Sequence, residues 1–539
     1  RTTHRPAAPP PTPSTPPPPP PRAPPPRPII YSQLMANQLT NDYDGLWEGS
    51  FHNAGTWELS LGRWFWLYIS RLRFGTSPDP FTSLLTLALM AVGLLFLFDL
   101  WQIKNKYLII VSGLLFLSNP AICFELSYRF MSPTFGVAFL LSILGVWCFE
   151  KIKSPIASVL AGAACISFSM GAYQAYICCT TVAFLTALLM KLSKNVNWRG
   201  LLLFCAKSIT GILVGGIGYT VILQFHLWVC GVKMSGYQGG SSYSILNSIC
   251  SLPASLYKMY QFFWLYFKGV LFRINRMQGK QIFTLMFILA SVLAVICFVR
   301  IFKKSRLRAI IFGALILLYP AAALSVLMIA TNAEFALQMA CGPALFLAAL
   351  PCLFYGENDF KGETDEEGSR DIRRKWNRIS QKSRWFLDRG FFLLMTVILY
   401  GSIYQVVIDQ NIMYEGKVAT ENITDMIVDQ LLQEDLVSDE YRYVFVGTPV
   451  SSMQYFVDTN YSYANHYALY GAWYLGNNSA KSWKGVIRNI KGMNLNMVTG
   501  PEYDALSVSK MVESMPQFPK PGSILLDNDI VYVKVGNAN

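Results

Sequence analysis

Ten apolar runs limit what this chain can become more than any other feature of it. They lie near residues 82–100, 107–119, 133–149, 156–170, 175–190, 201–223, 282–299, 309–328, 335–355 and 390–409. A helix that crosses a bilayer needs roughly 20 mostly apolar residues. Some runs reach that length, and the shorter ones are expected to tilt or re-enter. The runs 156–170 and 175–190 are nearly continuous, divided only by Gly171-Ala172-Tyr173-Gln174. Composition points the same way. Hydrophobic residues make up 53% of the 539 positions and charged residues 14%, against about 25% charged in a soluble domain. The expected fold class is mainly α: a polytopic membrane helix bundle with a small C-terminal α/β extracytoplasmic domain.

The formal net charge is +13. In a soluble protein that would suggest nucleic acid. Here Lys and Arg gather in short loops between apolar runs, so the expected partner is the lipid bilayer and no nucleic acid. Lys104 and Lys106, Lys151 and Lys153, Lys191 and Lys194, Arg300 to Arg308, and Arg370 to Arg389 fall in alternate loops. Positive loops stay in the cytoplasm. That phase puts residues 29–81 and the tail after Gln410 outside.

Three regions are expected. Residues 1–28 are mostly proline, which fixes φ and lacks an amide hydrogen; the stretch reads as disordered or extended and as non-native. An outer first loop normally follows a helix that carried it across, and none precedes this one. Residues 29–409 form the transmembrane domain, with residues 29–81 as its outer first loop. Residues 410–539 form the soluble domain, with helical spacing at 420–432 and strands at 443–447, 523–526 and 530–535.

Polar groups at the outer helix ends are the candidates for chemistry. Asp42, Asp44 and Glu48 form an acidic cluster in the first outer loop. A carboxylate there could take a proton from a hydroxyl nucleophile, or hold a divalent cation against a phosphate; the plainer alternative is a solvated loop. Arg63 in Leu61-Gly62-Arg63-Trp64 suits a phosphate, and Arg71 and Arg73 suit lipid headgroups. Glu125 and Arg129 are four apart, hence on one face if that stretch is helical. Tyr173, Gln174 and Glu334 lie at the outer ends of spans, where polar groups default to functional hypotheses. No metal site is expected. The 11 cysteines show no paired CxxC, and no His has a second His at i+3 or i+4. There is no phosphate-binding loop and no GxSxG.

Taken in order, the segments NDYDGLW (41–47), LGRW (61–64), NPAICFELSYRF (119–130) and GAYQAY (171–176) resemble the bacterial Gtr-type glucosyltransferases. These include the type II serotype-converting O-antigen enzymes of the GT-C class. The resemblance covers roughly residues 35–400. It implies a GT-C-like membrane domain that moves a sugar, typically glucose, from a polyprenyl-phosphate donor to a surface glycan acceptor. Transfer would take place on the outer face of the bacterial cytoplasmic membrane. The GT-C pattern puts a catalytic acid in the first outer loop, here Asp42 or Asp44. Arg63 and Arg129 would then face the donor phosphate, and Glu48, Glu125, Tyr173, Gln174 and Glu334 would line the cavity. A divalent cation is the one cofactor left open. The alternatives are a transporter or flippase of a lipid-linked glycan and a non-catalytic assembly subunit.

Overall fold

The computed structural model describes residues 30–41, 43–49, 51–194, 196–237, 250–268, 277–329, 337–355, 370–448, 470–472 and 479–537. Asp42, Glu334 and the proline-rich start lie outside the described residues.

Four short helices build the first loop: α1 (Ser32–Ala36), α2 (Tyr43–Glu48), α3 (Thr56–Ser60) and α4 (Trp64–Leu72). The bundle follows with α5 (Phe81–Trp101), α6 (Lys106–Leu117), α7 (Pro120–Ser127), α8 (Ser132–Lys151), α9 (Pro155–Ala172), α10 (Ile177–Ser193) and α11 (Trp198–Cys230). Then come α12 (Leu252–Phe267), α13 (Met277–Phe302), α14 (Arg306–Leu317), α15 (Tyr319–Ala323), α16 (Cys341–Tyr355) and α17 (Arg370–Gln433). Their starts are written in the sequence. Asn105, Asn119, Ser154 and Asn197 each accept a backbone N–H of the helix they precede, and Pro120 and Pro155 take the first helical position, where no N–H is needed.

Among the described residues, seven helices are long and apolar enough to cross a membrane. An eighth span results if α6 and α7, bent by 52°, count together. The chain is therefore a multi-pass membrane protein. The ten apolar runs do not map one to one onto full spans. The run 309–328 breaks into α14, α15 and a 3₁₀ turn at Ser325–Met328, with Pro320 at the break. Among the described residues, the run 335–355 forms a 3₁₀ turn at Leu337–Met339 and the 15-residue α16.

The bundle turns apolar side chains outward, as lipid requires. Leu202, Leu213, Ile217, Val221 and Phe225 of α11 are all exposed. Inside, small residues let helices close up. Phe149 of α8 sits where a Cβ on Gly162 of α9 would come within 2.1 Å of its ring, and one on Gly211 of α11 within 2.2 Å. At the end of the bundle expected to be cytoplasmic, basic side chains are tied down: Lys151 to Asp99 at 2.7 Å, Lys191 to Glu150 at 2.6 Å, and Arg308 Nη2 to the Val196 carbonyl at 2.8 Å.

Helix α17 does not stop where its apolar stretch ends. It runs 64 residues, through position 410 and on to Gln433, so the helix expected at 420–432 is its far end. Beyond it lie β1 (Arg442–Val446), α18 (Ser479–Gly485), β2 (Asn496–Met497), α19 (Pro501–Ser507), α20 (Lys510–Ser514), β3 (Ile524–Asp527) and β4 (Ile530–Lys534). The sheet order is β2-β1-β4-β3. β1 pairs parallel with β2 and β4, and β3 pairs antiparallel with β4. Three of these strands lie where the sequence places strands; β2, two residues long, carries too little pattern to be seen. Lys534 at the end of β4 is buried, and its Nζ donates to the carbonyls of Val512, Glu513 and Met515, closing the C-terminus of α20.

Candidate active site

Two polar clusters sit at the end of the bundle that carries the first loop. One is built around Arg63. Gly62 has φ +85 and turns the chain so that Arg63 immediately precedes α4. A Cβ on Gly62 would lie 2.5 Å from Tyr219 Oη and 2.6 Å from Gln174 Nε2, so a side chain is excluded by space as well as by φ. Gln174 Nε2 donates to the Leu61 carbonyl at 2.7 Å and to Tyr219 Oη at 3.1 Å, while Tyr219 Oη donates to the Gly62 carbonyl at 3.1 Å. The Arg63 guanidinium lies over the Tyr173 ring at 4.8 Å and the Trp66 ring at 5.8 Å. Its buried Nε has no hydrogen-bond partner among the described residues.

Behind Tyr173 is Glu125 of α7, fully buried. Its Oε2 accepts from Tyr176 Oη at 2.7 Å and its Oε1 is unpartnered among the described residues. The expected Glu125–Arg129 pairing on one helical face does not form, because α7 ends at Ser127 and Tyr128 leaves the helical region at ψ 66. Arg129 turns the other way. Its Nη1 donates to the Gln38 carbonyl and to Gln38 Oε1, both at 3.1 Å, its Nη2 to the Gly49 carbonyl at 3.0 Å, and its Nε lies 3.7 Å from Asp79 Oδ2.

The second cluster is on α2 and the loop after it. Asp44 occupies the first turn of α2 and is half-buried. Glu48 closes the helix, with its Oε2 3.0 Å from His52 Nδ1. The other nitrogen, His52 Nε2, lies 3.3 Å from Glu58 Oε1. Glu58 Oε2 accepts the Gly55 N–H at 2.6 Å. The imidazole packs edge-on to Phe130 at 5.1 Å and tilted over Trp66 at 5.6 Å. Burial would lower the His52 pKa, but hydrogen bonds and charge from Glu48 and Glu58 override it and push the group up to about 9. Burial would raise Glu58; the His52 and Gly55 hydrogen bonds instead hold it below the usual carboxylate value. Among the described residues no three His, Cys, Asp or Glu side chains are placed to hold a metal ion.

The structure thus brings Arg63, Tyr173, Gln174 and Glu125 together, and separately joins Glu48, on the same short helix as Asp44, to His52 and Glu58. Gly45 of α2 is a packing requirement: a Cβ there would lie 2.0 Å from Thr40 Oγ1. His52, Glu58 and Tyr219 escaped the sequence reading. A search for paired histidines passes over a lone one, although Glu48 stands four residues before it and Glu58 six after. Tyr219 sits in an apolar run with nothing to mark it.

The C-terminal domain covers this loop. Asn489 Nδ2 donates to the carbonyls of Leu46 and Trp47 at 2.6 and 2.9 Å, and Lys484 lies over the Trp47 ring at 5.0 Å. The Gly471 N–H donates to the Thr40 carbonyl at 2.9 Å. The first loop and the C-terminal domain therefore share one side of the bundle. An apolar cavity of about 270 Å³, walled by Phe263, Phe287, Phe312 and Phe346 among α12, α13, α14 and α16, has no charged lining residue and offers no chemistry of its own.

Compared with known families, residues 48–350 match the family model described as Glucosyl transferase GtrII. The match begins at Glu48, so Asp42 and Asp44 precede it. No curated protein and no solved structure matches the chain.

Proposed function

The chain belongs to the GtrII glucosyl transferase family, and from that premise we propose that this glycosyltransferase moves glucose from a polyprenyl-phosphate donor to a cell-surface glycan. The reaction is assigned to the outer face of the bacterial cytoplasmic membrane, with the C-terminal domain on that same outer side. The observation that carries the reading is Arg63: a guanidinium fixed on the Tyr173 ring at the end of an apolar bundle, with a buried N–H left over. A lipid-linked donor keeps its tail among apolar helices and its phosphate at the headgroup level, where such a cation meets it. Arg63 takes the phosphate and stabilises the charge that grows on it as it leaves. Arg129, already committed to Gln38, Gly49 and Asp79, supports this role by holding the first loop in place.

In the step itself, the acceptor hydroxyl oxygen bonds to the anomeric carbon and gives its proton to a carboxylate. The bond from that carbon to the phosphate oxygen breaks, and the polyprenyl phosphate leaves with the electron pair. Asp44, or Asp42 beside it, is the assigned base. Glu48, Glu125, Tyr173, Gln174 and Glu334 are assigned to the cavity around the sugar. A transporter would concentrate ionisable groups near the midplane of its helices; here the groups gather at helix ends.

The test is transfer of label. Protein reconstituted in vesicles is given polyprenyl-phosphate glucose with radiolabelled sugar, together with lipid-linked glycan from the source membranes. Label should move to the glycan. Transfer from a nucleotide sugar and none from the lipid donor would overturn the reading.

A further inference from the structure

Both ring nitrogens of His52 face a carboxylate, Glu48 at 3.0 Å and Glu58 at 3.3 Å. Nδ1 is at hydrogen-bond distance from Glu48, whereas Nε2 makes no hydrogen bond among the described residues and meets Glu58 as an ion pair; an imidazolium, with an N–H at each nitrogen, is attracted by both carboxylates, and a neutral ring is not. Those two carboxylates belong to different elements. Glu48 ends α2, the helix that carries Asp44. Glu58 lies in α3, and its carbonyl accepts the N–H of Arg63 at 3.0 Å. The backbone adds a third anchor, since the His52 N–H donates to the Gly75 carbonyl at 2.7 Å.

We propose that His52 is a positioning residue, an imidazolium clasp that locks the α2 carboxylates to the turn carrying Arg63. The inference rests on the reading of α2 and Arg63 given above. By this clasp the group that receives the acceptor proton keeps a fixed separation from the group that holds the donor phosphate. Misplacement of about 1 Å in such an arrangement can lower turnover about 10²-fold.

The surroundings suit a charged ring. Glu48 comes from α2, Glu58 from α3, Trp66 from α4 and Phe130 from the turn after α7. The two carboxylates are the charges that act on it, and with them the ring holds its proton up to about pH 9. Arg73, on the same loop, is turned to the Phe130 and Thr76 carbonyls and to Ser77 Oγ.

Two variants separate a clasp from simple packing. His52→Gln removes the charge and with it the attraction to Glu58. Glu58→Gln keeps an oxygen for the Gly55 N–H and offers an amide N–H to a neutral His52 Nε2, so the clasp no longer needs the proton. The full-length protein with isotope-labelled histidine is titrated by NMR, the His52 signal being the one lost in His52→Gln. Its midpoint should lie near 9 in the wild type. Amide exchange across residues 43–49 should quicken about tenfold or more in His52→Gln, the effect of losing one charge-assisted bond, and stay near wild type in Glu58→Gln. With polyprenyl-phosphate glucose as probe and lipid-linked glycan as acceptor, His52→Gln should lower kcat about 10²-fold with little change in donor KM. The wild-type kcat should fall as pH passes 9, and Glu58→Gln should lose that fall. A His52 midpoint at the ordinary 6.5, or equal loss of protection in both variants, overturns the clasp. If the wild type releases no polyprenyl phosphate from the probe, the proposed reaction fails, while the NMR and exchange results still decide the clasp.

Discussion

At the scale of single residues, the proposed reaction divides its chemistry between Arg63 and Asp44. Asp44→Asn keeps the size of the side chain and loses the proton acceptor. Turnover should drop by about 10²–10⁴ while donor lipid still binds, as read by kcat and by donor titration. Unchanged turnover would move the base to Asp42 or Glu125. Arg63→Gln should raise donor KM as well as lower kcat, because the phosphate is present both in the bound donor and in the leaving group. Gly62 and Gly216 make a matched pair for stability. At Gly62 a Cβ meets Tyr219 Oη at 2.5 Å with φ at +85, whereas at Gly216 nothing lies within 4 Å. Gly62→Ala should lower the unfolding temperature in detergent and cost more than about 1 kcal/mol. Gly216→Ala, inside a helix, should be neutral or stabilising. Equal behaviour of the two would show that the Leu61–Arg63 turn is not held as described.

At the scale of elements, α2 is too short to be stable by itself. Helices much under about 12 residues need tertiary support. Its last turn is supported by two contacts: His52 with Glu58 on Glu48, and Asn489 on the carbonyls of Leu46 and Trp47. Asn489→Ala should loosen α2 by about 1 kcal/mol, seen as faster amide exchange over residues 43–49 with the C-terminal sheet unaffected. The pH dependence of this region has a definite sign. His52 is raised in the folded state, so its contribution is complete below the ordinary imidazole value of 6.5 and is lost as pH rises through about 9. Glu58 is depressed, so its contribution is complete above the ordinary 4.5 and is lost as pH falls through its lower folded value. Protection of α2 should therefore be flat between about 4.5 and 6.5 and decline toward alkaline pH; a decline only on the acid side would contradict the pairing.

At the scale of the whole molecule, α17 joins the membrane bundle to the C-terminal domain as one continuous rod. It also carries the first loop: Gln410 accepts the Leu34 N–H at 3.0 Å and donates to the Ile30 carbonyl at 2.9 Å, and Lys417 donates to the Asn37 carbonyl at 2.8 Å. Farther along, Asp425 pairs with Lys491 at 2.7 Å. Sidedness then follows for the loop and the domain together. A cysteine at the exposed Lys303 position should react with an impermeant reagent only from the cytoplasm, and one at the exposed Lys510 position only from outside. Labelling of both from one side would break the assignment of the reaction to the outer face.

The sequence by itself determined the class of this protein. Hydrophobicity over some twenty residues, caps such as Asn119-Pro120, and the alternation of basic loops are local properties, so the bundle, its helix starts and three of the four strands are legible without coordinates. Arg63, Tyr173, Gln174 and Glu125 stood out as candidates in the sequence as well, because a polar side chain set among apolar and aromatic residues is conspicuous wherever it finally points. What the tertiary structure decided is which polar groups are already spent on one another. Glu125 and Arg129 are spaced to pair but are parted by the end of α7, and Arg129 is taken up by Gln38, Gly49 and Asp79. His52 looked solitary until folding brought Glu58 to its second nitrogen. The far end of α17 read as a separate helix because its amphipathic surface packs on a domain that is formed only later in the chain. Partners brought together by folding leave no mark in a local pattern, since the free energy that selects them depends on distance in space and burial rather than on spacing along the chain.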